Sequence, residues 1–151
     1  KSKLRVVEAT HGQVAEPGVA YLAPGDFHMQ VSSRLGKPAL LLDEGPLRNG
    51  CRPSVDPLFC SAAETYGNGL LAIVLTGIGC DGVAGAQKVA SSGGHVWVQD
   101  EQSAAVWGMP GAVVRAGLAR RTVSLDAMPS AIMTAVAEGL PQQQPLDRQA
   151  R

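Results

Sequence analysis

Short apolar runs separated by turn residues occupy the first third of the chain, and then the hydrophobic period changes. Leu4 to Ala9, Val19 to Ala23, Met29 to Ser33 and Pro38 to Asp43 each predict a strand, with Pro24-Gly25-Asp26 turning the second into the third. No helical segment separates them, so this region is expected to be antiparallel and peripheral. Glu44 to Pro53 is rich in Gly and Pro and predicts a loop. A helix is expected from Asp56 as N-cap, with Pro57 at its first position and Leu58, Phe59, Ala62 and Ala63 as its buried stripe.

Beyond that helix the pattern becomes β-α-β. Leu70 to Leu75 is continuously apolar, as a parallel strand covered on both faces must be. Val83 to Ser91 carries Val83, Ala86, Val89 and Ala90 at helical core spacing, Gly93-Gly94 ends it, and His95 to Gln99 is the next strand. Met109 to Ala116 predicts a helix after a turn at Gly108, Arg121 to Leu125 an edge strand, and Pro129 to Leu140 a last helix with Ile132, Met133, Val136 and Leu140 inward. The fold class expected is α/β: a doubly wound, mostly parallel sheet with helices on both faces and a peripheral antiparallel strand pair. The polar residues 141–151 are expected to form a mobile tail.

Composition narrows the function classes. The chain has 151 residues, 45% hydrophobic and 17% charged, which fits one globular domain with a real core. Formal net charge is zero, so no electrostatic case exists for nucleic acid or an anionic membrane surface. No apolar run is long enough to span a membrane and no signal peptide is recognisable, so a cytoplasmic location is expected. Cys51, Cys60 and Cys80 are odd in number and lack Cys-x-x-Cys spacing, which suggests neither a disulfide framework nor a zinc site. The chain opens without Met on a strand-like segment, as a piece of a longer polypeptide would.

The stretch Leu71 to Gly82 concentrates the candidate chemistry. An apolar strand runs into a glycine-rich turn with one carboxylate, Asp81, at its crest, and a helix follows. Gly77, Gly79 and Gly82 satisfy G-x-G-x-x-G, and Asp100 ends the next strand, so spacing alone allows a dinucleotide-binding fingerprint. Against it, Asp81 stands where the pyrophosphate would rest, and the unit is preceded by antiparallel strands. Asp81 has two further readings: an Asp bonding local backbone in an Asp-Gly turn, or a carboxylate orienting a catalytic imidazole.

Four stretches, in order, resemble one family. They are Tyr21-Leu22-Ala23-Pro24-Gly25-Asp26-Phe27-His28-Met29, Arg52-Pro53-Ser54-Val55-Asp56-Pro57-Leu58-Phe59, Leu75-Thr76-Gly77-Ile78-Gly79-Cys80-Asp81-Gly82, and Gln99-Asp100-Glu101-Gln102-Ser103 leading to Gly108-Met109-Pro110. Together they are similar to the chemotaxis protein-glutamate methylesterases. The resemblance implies a catalytic domain over residues 1–140, N-terminally incomplete. It implies hydrolysis of glutamate methyl esters, and deamidation of glutamines, on a chemoreceptor substrate by a Ser-His-Asp triad without metal or cofactor. Asp81 is then the triad acid, and the backbone N–H of Ile78, which stands where the family usually has Met, contributes to the oxyanion hole. An N-terminal receiver domain accompanies most of the family.

The family's Ser-x-Gly-Gly and Gln-His-Met-Pro motifs, which carry the nucleophile and the base, are expected upstream of Lys1. Ser32-Ser33 and Ser91-Ser92-Gly93-Gly94 do not replace them; the latter reads as a helix C-cap. The 151 residues alone are therefore expected to be inactive, and a non-catalytic, partner-binding remnant is the alternative. His11 reads as a turn residue, His28 as a structural hydrogen-bonding residue and His95 as a sheet-edge residue; Trp97, Trp107 and Met109 read as core or pocket wall.

Overall fold

The computed structural model describes residues 4–34 and 36–140, and the expected tail at 141–151 lies outside them. Its elements are β1 (Arg5–Glu8), β2 (Val19–Leu22), β3 (His28–Arg34), β4 (Lys37–Asp43), α1 (Val55–Tyr66), β5 (Leu71–Val74), α2 (Val83–Ser91), β6 (His95–Gln99), α3 (Gly108–Arg115), β7 (Arg121–Val123) and α4 (Met128–Glu138). Strands β5, β6 and β7 make a parallel sheet in that order, with Leu71 opposite His95 and Trp97 opposite Arg121.

Side-chain alternation along these strands explains why helices lie on both faces. Ala72, Val74, Val96 and Val98 pack with Ala63, Ala86, Val89, Val113 and Leu118 from the side of α1, α2 and α3. Leu71, Ile73, Trp97 and Val123 point the other way, onto Met128, Ala131 and Ala135 of α4. All five residues of β6 are buried, as befits the central strand. Val89 and Val98 are wholly buried, and each such valine contributes about 1.5–3 kcal/mol of apolar transfer. Helices α1 and α2 cross closely at Gly85, where an added Cβ would lie 2.5 Å from that of Phe59. A smaller cluster of Ala9, Met29 and Leu40 joins β3 and β4 to α1 through Leu58.

Four expectations need correction. The first strands are not all antiparallel: β3 and β4 are, but β1 runs parallel to β2, with Arg5 opposite Val19. The intervening loop docks antiparallel alongside β4, where Ala15 N–H donates to Pro38 O (2.8 Å) and Leu40 N–H donates to Gln13 O (2.7 Å). The N-cap of α1 is Ser54, not Asp56; the Asp56 N–H donates to the Ser54 hydroxyl, and Asp56 and Pro57 sit inside the first turn. On α4, Met133 and Val136 face outward, 67% and 73% exposed, because the smaller Met128–Ala131–Ala135 stripe meets the sheet. His95 opens the central strand rather than an edge, and is buried.

Candidate active site

Asp81 lies just past the carboxyl end of β5, in the turn that leads into α2, and is 7% exposed. Its Oδ1 accepts from the Ser54 hydroxyl (2.7 Å), the Gly82 N–H (2.9 Å) and the Asn49 amide (3.0 Å); its Oδ2 accepts from the Val55 N–H (2.7 Å). Ser54 and Val55 are the N-cap and first residue of α1, so the carboxylate sits on a helix N-terminus, where the backbone dipoles favour negative charge. Burial pushes the Asp81 pKa up, but hydrogen bonding from Ser54, Val55, Asn49 and the Asp56 backbone outweighs it and leaves the pKa below the ordinary 3.8.

The two helices exchange carboxylates. Asp81, which precedes α2, binds the start of α1; Asp56, in the first turn of α1, accepts the Gly85 N–H of α2 at 2.8 Å. The Asn49 amide links the pair, donating to Asp56 Oδ2 and to Asp81 Oδ1, each at 3.0 Å. This arrangement answers the dinucleotide reading. The Gly82 and Gly85 amides that would meet a pyrophosphate are held by carboxylates of the protein itself. Asp100, the supposed ribose ligand, closes its own turn by accepting from the Ser103 N–H (3.0 Å) and the Ser103 hydroxyl.

The other flank of the turn is held from behind. Gln99, fully buried, accepts the Thr76 N–H (2.8 Å) and donates to Ser103 O (2.8 Å). Gly77 N–H donates to Val106 O (3.0 Å), and Met109 N–H donates to Gly77 O (2.9 Å). Gly108 presses against this backbone so closely that a Cβ there would lie 2.6 Å from Gly77 O and 2.9 Å from Gly79 N. Ile78 is thereby presented outward, 83% exposed, and among the described residues its N–H donates to no protein group. A fixed, unengaged backbone donor near an oriented carboxylate suits the stabilisation of a developing oxyanion.

The remaining candidates resolve by their partners. His28 is buried with both ring nitrogens engaged: Nε2 donates to Pro46 O (3.0 Å), and Nδ1 accepts the Ser54 N–H (3.2 Å). It therefore belongs to the framework. Ser54 brings a serine, a histidine and an aspartate together, but its hydroxyl points at Asp81 and only its amide meets His28, so the trio has no nucleophile–base hydrogen bond. His11 is exposed in a turn, with Nδ1 accepting the Leu42 N–H (3.2 Å). Cys51 and Cys80 are exposed. Cys60 borders a cavity of about 440 Å³ with His28, Asn49, Asp56 and Glu64, and burial, then Asp56 and Glu64, raises its thiol pKa. Among the described residues no group of three or more His, Cys, Asp or Glu converges as a metal site.

Sequence reasoning missed Asn49, Ser54 and Gln99 as parts of this site. Asn49-Gly50 is a turn signal and Ser54 a capping residue, but neither spacing points to a carboxylate about 30 positions away. Gln99 ends a strand, and nothing in the local pattern distinguishes its side chain from any other buried strand residue.

Comparison with known proteins identifies the family and the fold. The profile of the CheB methylesterase family matches residues 1–132. A protein-glutamate methylesterase/protein-glutamine glutaminase of Rhodopseudomonas palustris is 49% identical over 119 residues, which is 79% of this chain and 30% of that protein. A second, from Caulobacter vibrioides, is 51% identical over 126 residues, 83% of this chain and 36% of that protein. This chain thus spans about a third of the length of the curated relatives it matches. The crystal structure of the Thermotoga maritima CheB methylesterase catalytic domain superposes with a TM-score of 0.82 at 38% identity, covering 83% of this chain and 67% of that one. The chain belongs to the CheB methylesterase family.

Proposed function

We propose that residues 1–140 supply the acid and oxyanion side of an esterase site that hydrolyses glutamate methyl esters, and deamidates glutamines, on a chemoreceptor in the cytoplasm. In this reading the nucleophilic Ser and the basic His come from outside these 151 residues: Ser91-Ser92-Gly93-Gly94 has the Ser-x-Gly-Gly pattern but closes α2, with the Ser91 hydroxyl donating to Gln87 O, and Gln-His-Met-Pro does not occur. Asp81 accepts the imidazole N–H, fixes the ring's tautomer, and stabilises the imidazolium formed as the serine attacks the ester carbonyl. The Ile78 N–H meets the oxyanion; methanol leaves and water releases the glutamate. Asp81 Oδ2 accepts the Val55 N–H, and a carboxylate oxygen has capacity for a further donor, in this reading the ring.

The observation that carries the proposal is a carboxylate held by four hydrogen bonds past the carboxyl end of β5, three residues after a backbone N–H that no described protein group accepts. The same four bonds would serve a purely structural Asp, and kinetics separates the two. In the complete polypeptide, Asp81→Asn should lower kcat for methanol release by about 10⁴-fold with little change in KM and an unchanged near-ultraviolet spectrum. Wild-type turnover in that variant would remove Asp81 from the chemistry.

A further inference from the structure

We propose that Asn49 is a positioning residue, its single amide clamping the Asp81 carboxylate to Asp56 across the starts of α1 and α2. The effect on turnover rests on the esterase reading above; the clamp itself does not.

The loop that carries Asn49 is built to present it. Arg48 and Cys51 exchange both backbone hydrogen bonds, at 3.1 and 2.8 Å, leaving Asn49-Gly50 as the two central residues. Their φ angles are 51° and 77°, both left-handed, as in the tight hairpin turn that favours Asn-Gly. Each Asn49 amide proton then has its own acceptor, one on Asp56 and one on Asp81. Only the NH2 end of the side chain can serve two carboxylate oxygens, so the amide's orientation is fixed by chemistry.

Two carboxylates brought near one another repel, and a donor shared between them offsets that repulsion. Asn49 supplies that donor without adding a charge. The titratable side chains around Asp81 are Asp56 on α1, His28 on β3 (linked through Ser54) and Cys80 beside it in the chain. Of these, Asp56 shares the Asn49 amide with Asp81, and it is the group whose charge the clamp offsets. A residue that only stabilised the loop would leave the titration of Asp81 where it is.

The test follows the Asp81 carboxyl carbon by NMR against pH in the complete polypeptide, in wild type, Asn49→Gly and Asn49→Asp. Glycine keeps the left-handed backbone and deletes the amide; aspartate is nearly isosteric and replaces the donor with an acceptor. Ester hydrolysis is measured on the same samples with Asp81→Asn as reference. The Asp81 midpoint should rise in both variants, more in Asn49→Asp, and kcat should fall about 10- to 100-fold with KM within about threefold. Should Asn49→Gly fail to fold, an unmoved midpoint in the near-isosteric Asn49→Asp still overturns the clamp. An unmoved Asp81 midpoint with kcat within about threefold of wild type, while Asp81→Asn is inactive, overturns the clamp and leaves the esterase reading intact. A raised midpoint with Asp81→Asn fully active keeps the clamp and overturns the esterase reading.

Discussion

Asp81 and Ile78 lie on one turn, yet one is 7% exposed and accepts four hydrogen bonds while the other is 83% exposed. The Asp81 flank is held through its own carboxylate, by the Ser54 hydroxyl, the Asn49 amide and the Val55 N–H from outside the turn and by the Gly82 N–H within it. The Ile78 flank is held by its own backbone, gripped from behind by Gln99, Val106 and Gly108. The contrast teaches that the two flanks are specified differently. At Asp81 the side chain itself carries the structure; at Ile78 the path of the backbone does, and the side chain is nearly free to vary.

The largest effect should follow from emptying the bonded flank. Asp81→Ala leaves the Ser54 hydroxyl and the Val55 and Gly82 amides without their acceptor, and should cost about 3 kcal/mol or more of stability, read as a lower urea midpoint. A loss under about 0.5 kcal/mol, the ordinary range for an exposed substitution, would show that solvent replaces the carboxylate easily and would abolish the contrast. Next in size is Gly108→Ala. Its methyl would meet Gly77 O and Gly79 N of the opposite backbone, so the turn must shift, at about 1–3 kcal/mol. In the complete polypeptide kcat should fall more than stability predicts, because the Ile78 donor moves with that backbone.

How far the sequence foretold these two flanks follows the same division. The limits of α2 and β6 are readable because each rests on local signals: helical spacing from Val83 to Ser91, Gly93-Gly94, and five strand residues. The glycine turn and its carboxylate are legible too, since strand, glycines and Asp81 are contiguous. The partners of Asp81 are not. Ser54 lies 27 positions away and Asn49 lies 32 positions away, and only the packing of α1 against α2 brings them in. The parallel pairing of β1 with β2 depends likewise on where residues 9–18 dock, and the outward turn of Met133 and Val136 on which stripe of a helix apolar on both sides fits the sheet. Directions and faces chosen by tertiary contact leave little local trace.

Acid should expose the bonded flank more gently than deletion. In the unfolded chain Asp81 titrates near its ordinary value of 3.8, and in the folded protein it titrates lower. Its contribution to stability is therefore fully present above about pH 4, and is lost progressively as the pH falls from there through the folded value. Urea midpoints measured from pH 6 down to pH 2.5 should fall more steeply for the wild type than for Asp81→Asn, which cannot titrate at that position. Parallel curves would mean that the carboxylate is no better accommodated in the folded protein than in water.

The smallest effect is expected at Ile78. Replacing it with Ala removes a side chain that is 83% exposed, so stability should change by less than about 0.5 kcal/mol. Ile78→Met should be as mild. Either replacement keeps the backbone N–H, so kcat for ester hydrolysis in the complete polypeptide should stay within about tenfold of wild type, with most of the change in KM where the side chain borders substrate. A kcat collapse in Ile78→Ala, with the fold intact, would place the working group on the side chain. The turn's close packing against Gly108 would then serve to aim a branched sec-butyl wall rather than an amide, and the distinction between the two flanks would have to be drawn again.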